Sequence, residues 1–241
     1  MGSNDETTRS PNQKLEIHYI APTQYVPNSK FPILIYRNVI PDPDDHDGTA
    51  AILQGNGYRV DGFYGCYETP HYHSNTVEAY AFVQGYTTMK LGKGPRDEDV
   101  GNEFYLSKGD LFIQPAGMVH SMIKSSPDCK YVGAYPEGSP QWDVQLGNED
   151  EELVKTLKEE AAAVPVPASD PIFGPQGPLI RIWTAVSEGK DQLDRTKCYQ
   201  KGIKSLAVAL SYCAFEIPKL ASEGPMNITL NLSKIMVRFS E

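Results

Sequence analysis

Gly65-Cys66-Tyr67-Glu68-Thr69-Pro70-His71-Tyr72-His73, followed by Glu78 and Gly85, is the stretch whose spacing decides how this chain folds and what chemistry it carries. Side chains two apart on an extended strand project from the same face, so His71 and His73 point together and Tyr72 points away. Ser74 to Val77 form a short polar bridge, and Glu78 opens an apolar run, Ala79 to Val83, that reads as the next strand of a hairpin. Glu78 thereby folds back beside both histidines. A second stretch reads Asp110-Leu111-Phe112-Ile113-Gln114 as a strand, Pro115-Ala116-Gly117 as a turn, and Met118 to Ile123 as another strand. It delivers His120 from a neighbouring strand. Three of the five histidines thus fall in two short patterns, and together with Glu78 they make a candidate site for one metal ion.

Two plainer readings compete with this one. The histidines can be ordinary polar groups inside a barrel, but three imidazoles and a carboxylate buried together each need partners, which a cation supplies at once. The ion can also be a structural staple, or can present a ligand without turnover. His18 and His46 lie outside both patterns and read as solvated or loop residues.

These residues resemble the two cupin motifs. Gly65, His71, His73, Glu78 and Gly85 fit the first at every fixed position, and Gly109, Pro115, Gly117 and His120 fit the second. The departure is Lys124, where many cupins have Asn four residues after the histidine; that position is not a ligand. The resemblance implies an all-β fold, a single RmlC-like jelly-roll β-barrel with N-terminal arm strands and a few C-terminal helices. It also implies that His71, His73, Glu78 and His120 are the metal ligands. Four further segments resemble a group of single-domain cupins found in bacteria and fungi: Val26 to Arg37; His71 to Asn75; Gly133 to Gly138 with Trp142-Asp143; and Pro165 to Pro171 with Gly174, Gly177, Pro178, Leu179 and Trp183. Such a resemblance speaks to fold and metal site rather than reaction, because the cupin scaffold hosts oxidases, dioxygenases, isomerases, decarboxylases and ligand-binding proteins.

Composition narrows the classes. At 241 residues and 40% hydrophobic, the chain suits one core with extensions. A net charge of −9, with no basic run among aromatics, argues against nucleic acid. The polar start Met1-Gly2-Ser3-Asn4-Asp5-Glu6 has no apolar signal core and carries Glu6 where a myristoylation pattern needs Ser or Thr. A cytoplasmic protein without membrane attachment is expected. Cys66, Cys129, Cys198 and Cys213 show neither CxxC pairing nor dense disulfide spacing, which fits reduced thiols. Cys66 can face the barrel interior, although a small buried hydrophobe is the commoner role.

Along the chain, residues 1–14 are expected to be disordered, 15–183 to form the cupin domain with its arm and C-terminal helix, and 184–241 to be an extension of unassigned order. Leu15 to Ile40 reads as an entry arm with strand character, Pro41 to Gly48 as an acidic loop, and Ala50 to Pro136 as the barrel. Lys93 to Asn102 reads as a mobile loop that shapes the substrate mouth. Asn148 with Glu151 resembles a helix start, and Leu153, Leu157 and Ala161 recur at helical spacing before Pro165. Farther on, Ile203, Leu206, Ala207 and Leu210 fit a helix face, and Met226, Ile228, Leu230 and Leu232 alternate as a strand.

Four protein ligands on an octahedral ion leave two positions for substrate or water. With Fe, Mn, Ni or Cu, an enolised diketone or catechol bound there can react with dioxygen, and an oxidase or dioxygenase is the first expectation. With Zn, or any ion used only as a Lewis acid, a decarboxylase, isomerase or cyclase is the alternative, and a metal-containing ligand-binding protein without catalysis is the third. Glu68 and Tyr80 are the candidate catalytic groups, with Tyr131 behind them. Tyr80 and Phe82 share strand parity with Glu78, Phe112 shares a face with Gln114, and Met122 follows His120 inward. That mixed aromatic lining suits a small aromatic or polyketide-like substrate better than a sugar. The resemblance adds a homodimer as the expected assembly.

Overall fold

The computed structural model describes residues 14–98 and 101–190. Among them the elements run β1 (Lys14–His18), β2 (Ile33–Arg37), α1 (His46–Gly55), β3 (Tyr58–Tyr64), β4 (Glu78–Gln84), β5 (Tyr86–Leu91) and β6 (Asn102–Ser107). β7 (Leu111–Gln114), β8 (His120–Ser125), β9 (Lys130–Pro136), α2 (Glu151–Ala163) and α3 (Pro178–Ser187) follow. Six strands form one sheet in the order β1-β2-β7-β4-β9-β3, and three form a second in the order β6-β5-β8. Every pairing is antiparallel. This is the all-β jelly-roll architecture expected.

The central strand β4 shows why. Glu78 to Val83 are all buried, because both faces of the large sheet are covered. Ala79, Ala81 and Val83 join Leu34, Ile113 and Val132 under Leu53 of α1 and Leu179 and Trp183 of α3. The alternate residues Tyr80 and Phe82 face the other way and pack with Ile35, Phe112, Met89, Leu106 and Met122 between the two sheets. Glu78 shares their parity and therefore points into the barrel. Gly85 turns the chain from one sheet to the other at φ +67°. A Cβ there would lie 2.9 Å from the Cys129 Cα, so the position needs glycine.

Several expectations are corrected. Ala50 to Gly55 do not begin the barrel; they belong to α1, whose N-cap Asp45 accepts from Gly48 N at 2.9 Å and cuts short the acidic loop. The entry arm is part of the barrel, with β2 hydrogen-bonded between β1 and β7. His18 is not simply solvated, since it lies in β1 with its ring 4.7 Å from that of Phe104, and His46 opens α1 against Phe63. The cap of α2 is Asp150 rather than Asn148, with its carboxylate accepting from Leu153 N at 2.9 Å. That phase turns Val154, Leu157 and Ala161 inward and leaves Leu153 exposed at 44%. Lys14 opens β1. The lead before it and everything after Lys190 lie outside the described residues. The helix and strand patterns at 203–210 and 226–232 fall there, as do Cys198 and Cys213.

The segment Pro165 to Trp183 acts as a clasp. Asp170 is fully buried, and its carboxylate accepts from the Tyr36 hydroxyl at 2.6 Å and from the backbone N–H groups of Ile172, Phe173 and Leu179 at 3.0, 3.0 and 3.1 Å. Trp183 stacks on Phe31 at 5.1 Å and donates to Pro32 O at 3.0 Å. Removing the carboxylate strands a buried hydroxyl and three N–H groups. Asp170→Ala is therefore expected to cost about 3–4 kcal/mol of unfolding free energy, measured by denaturant titration.

Candidate metal centre

His71 and His73 enter from the coil before β4, and His120 from the first position of β8. The backbones of His71 and His120 exchange two hydrogen bonds, N to O at 3.1 and 2.9 Å, so the two motifs are stitched together at the ligands themselves. Gly117 N donates to His73 O at 2.8 Å. Gly117 holds φ +81°, and a Cβ there would lie 2.8 Å from Asn28 O, which accounts for glycine in the turn.

Each imidazole is held by its far nitrogen. His71 Nδ1 donates to Thr69 O at 2.9 Å, His120 Nδ1 to Met118 O at 3.0 Å, and His73 Nδ1 to Asp143 O. A carbonyl can only accept, so Nδ1 carries the proton in all three rings and each Nε2 keeps a lone pair when neutral. The ligand nitrogens of the three buried histidines lie within 4.8 Å of one another. Glu78 Oε2 sits 3.4 Å from His73 Nε2 and 3.5 Å from His120 Nε2. Its carboxylate is oriented by Gln114 Nε2 on Oε2 at 2.7 Å and by the Tyr135 hydroxyl on Oε1 at 2.5 Å.

The electrostatics of this buried group follow from its crowding. Burial and the neighbouring His71 and His73 push His120 down to about 3 despite the Glu78 carboxylate. Burial, with His73 beside it, also lowers His71. His73 goes the other way: burial would lower it, but the Glu78 charge and hydrogen bond outweigh that and raise it. Glu78 itself, which burial would raise, is held well below the usual carboxylate range by His73, His120 and Tyr135. Of the three imidazoles His73 is thus the one whose protonation the Glu78 carboxylate favours.

A cavity of about 450 Å³ opens onto this cluster, lined by Tyr64, Tyr67, Tyr80, Tyr131, Tyr135 and Trp142 together with Cys66, Val144, His71, His73 and Glu78. Among the described residues no Lys or Arg lines it. Tyr80, of the two candidate catalytic groups, is at the site: its hydroxyl lies 2.9 Å from His120 Nε2, and burial and the Glu78 charge raise its pKa well above the usual range. Glu68 is exposed and is not among the lining residues: the lining includes Tyr67 but neither Glu68 nor Thr69. The loop after Lys93 does not shape the mouth in its described part. It is fastened to the arm, with Thr23 Oγ1 donating to Asp97 at 3.2 Å and Arg96 over the Tyr25 ring at 4.1 Å. The mouth is formed instead by residues 64–67 and 142–144.

Parity on β4 and β7 anticipated Tyr80 and Gln114, but Tyr135, Trp142 and the Asp143 carbonyl were not anticipated as site residues. Asp143 is 70 residues from the His73 it anchors, in irregular chain held by its own carboxylate on Ser74 N at 2.7 Å and Ser74 Oγ at 2.8 Å. Trp142 is fixed by donating to Asp61 at 2.6 Å.

Residues 51–158 match the family described as Cupin. Over 162 residues the chain is 35% identical to the uncharacterized protein YjlB of Bacillus subtilis (strain 168), covering 66% of this chain and 90% of that protein. Among solved structures, the 11S allergen of Cocos nucifera is 13% identical with a TM-score of 0.30, over 45% of this chain and 34% of that one. The present chain thus spans about a third of that protein's length. RmlC of Streptococcus suis is 11% identical with a TM-score of 0.31, over 63% of this chain and 87% of that one.

A divalent ion needs the His73 Nε2 lone pair, so it competes with protonation at that nitrogen. Because the His73 pKa is raised, the competition is present below that pKa and vanishes above it. Affinity for a divalent ion is expected to fall about tenfold per pH unit on the acid side, with about one proton released per ion bound at pH 6. Calorimetric titration in two buffers of different ionisation enthalpy measures that proton.

Proposed function

The chain belongs to the cupin superfamily, and from that premise we propose a metal-dependent enzyme acting on a small organic molecule, in the first place an oxidase or dioxygenase. The observation that carries this reading is the fixed tautomer of the three imidazoles, whose Nδ1 protons are all committed to backbone carbonyls. His71, His73 and His120 would hold the ion through Nε2, with Glu78 as the fourth ligand. The donor set of three nitrogens and a carboxylate oxygen fits Fe, Mn, Ni, Cu or Zn. Such an ion supplies charge stabilisation at a bound substrate oxygen and, if redox-active, a place for dioxygen to react.

The remaining work falls to residues of the chain. Gln114 and Tyr135 keep the Glu78 carboxylate oriented and ionised. With an ion held on His120 Nε2, the neutral Tyr80 hydroxyl, which lines the cavity, would be free to donate a hydrogen bond to a substrate oxygen. The rings of Tyr64, Tyr67, Tyr131 and Trp142 line the walls and exclude water from a planar guest. The aromatic lining, which among the described residues carries no lysine or arginine, suits an uncharged phenol, catechol or enolisable diketone.

The test is dioxygen uptake by the purified protein with a panel of catechols and 1,3-diketones. Uptake in proportion to product, abolished in His120→Ala, supports the reading. Product formed equally without dioxygen overturns the oxidative assignment in favour of Lewis-acid chemistry. Tyr80→Phe is expected to keep its metal and lower kcat by about 10²-fold.

A further inference from the structure

Cys66 and Cys129 take no part in the site described above, yet the fold sets them side by side. β3 and β9 pair Phe63 with Val132 and Tyr64 with Tyr131. That register leaves Cys66, two residues beyond β3, near Cys129, one residue before β9, and the two thiols are in hydrogen-bond contact. A thiol pair already in contact needs only Cα atoms about 4.4–6.8 Å apart to be bridged. The side chains follow the backbone. Both sulfurs pack in the cluster between the sheets, and both are free thiols.

Their surroundings differ in a way that assigns each a part. Cys66 is half-buried and lines the aromatic cavity, open to a small oxidant entering there. Cys129 is 5% exposed, and burial together with its hydrogen bond to Cys66 raises its thiol pKa. A thiol so placed is slow to attack an outside oxidant, but it is positioned to attack an oxidised neighbour.

We propose that Cys66 and Cys129 are a redox pair in the cavity wall, closed to a reversible disulfide by peroxide that enters the cavity. In the first step the Cys66 sulfur attacks one oxygen of hydrogen peroxide, the O–O bond breaks, and water leaves as the second oxygen takes up a proton. Cys66 is then a sulfenic acid, oxidised by two electrons. In the second step the Cys129 sulfur attacks that sulfur, the S–O bond breaks, the S–S bond forms and a second water leaves. Two thiols and one peroxide give one disulfide and two waters. The new bond ties residues 64–67, which carry Tyr64 and Tyr67 of the cavity rim, to the residue just before β9, so oxidation is registered where ligand enters. The proposal does not depend on the identity or presence of the metal.

The experiment uses the full-length chain carrying Cys198→Ser and Cys213→Ser, so that only this pair remains. After treatment with stoichiometric hydrogen peroxide, peptide mapping without reductant is expected to find Cys66 joined to Cys129 within one chain. Dithiothreitol should reverse the link, and the thermal midpoint should rise by about 5–10 °C while it is in place. In the same background Cys129→Ser is expected to stop at a Cys66 sulfenic acid that dimedone captures. Three results would overturn the proposal: both thiols remaining alkylatable after peroxide, a link that joins two chains, or Cys66 halting at the sulfenic acid with Cys129 present.

Discussion

Three hydrogen bonds from imidazole Nδ1 to backbone carbonyls set the character of this molecule. A histidine ring alone is ambiguous, since either nitrogen can hold the proton and the ring can turn. Thr69, Met118 and Asp143 remove that freedom in His71, His120 and His73. The three acceptors come from separate stretches of chain, and each sits in irregular backbone whose own position is fixed elsewhere. Asp143 is the most remote of them. Its carboxylate grips Ser74 and its carbonyl takes His73, so one residue positions the ligand segment twice.

The rest of the barrel can be understood as what keeps this cluster dry and in register. β4 is buried on both faces because α1 and α3 cover one side of the large sheet and the small sheet covers the other. That double cover allows a carboxylate at the start of β4 to be fully enclosed, and enclosure is what makes its interaction with His73 and His120 strong enough to outweigh its desolvation. The Asp170 clasp has the same logic at a distance. It holds α3 against the sheet by collecting four donors on one buried carboxylate, and it leaves the inner face free for chemistry.

Much of this was legible in the residues. The His-X-His spacing with Glu78 and His120, and the strand parity that turns Tyr80, Phe82, Gln114 and Met122 inward, are local patterns with a period of two, and the structure places them together. α1 was missed because His46 to Gly55 has only two buried positions, Thr49 and Leu53, too few for an apolar stripe to stand out. Leu153 and Leu157 have similar claims to the inner face of α2 by spacing, and only the Asp150 cap decides the phase. Tyr135, Trp142 and the Asp143 carbonyl belong to pairings 57 to 81 residues long. Tyr135 reaches Glu78 across the β4–β9 pairing and Trp142 and Asp143 lie in coil, and no local periodicity encodes contacts of that range. Glu68 drew notice by lying among the motif residues, but adjacency in sequence did not carry it round the rim into the cavity.

The central claim is that the imidazoles and Glu78 are a preformed ligand set, and it is tested most directly by elemental analysis of protein purified without added metal or chelator, beside a His71→Ala/His120→Ala variant. The account predicts about one first-row divalent ion per chain in the native protein and none in the folded variant. Native protein that binds no such ion, even when Fe(II), Mn(II), Ni(II), Cu(II) and Zn(II) are each supplied above pH 7, would contradict it.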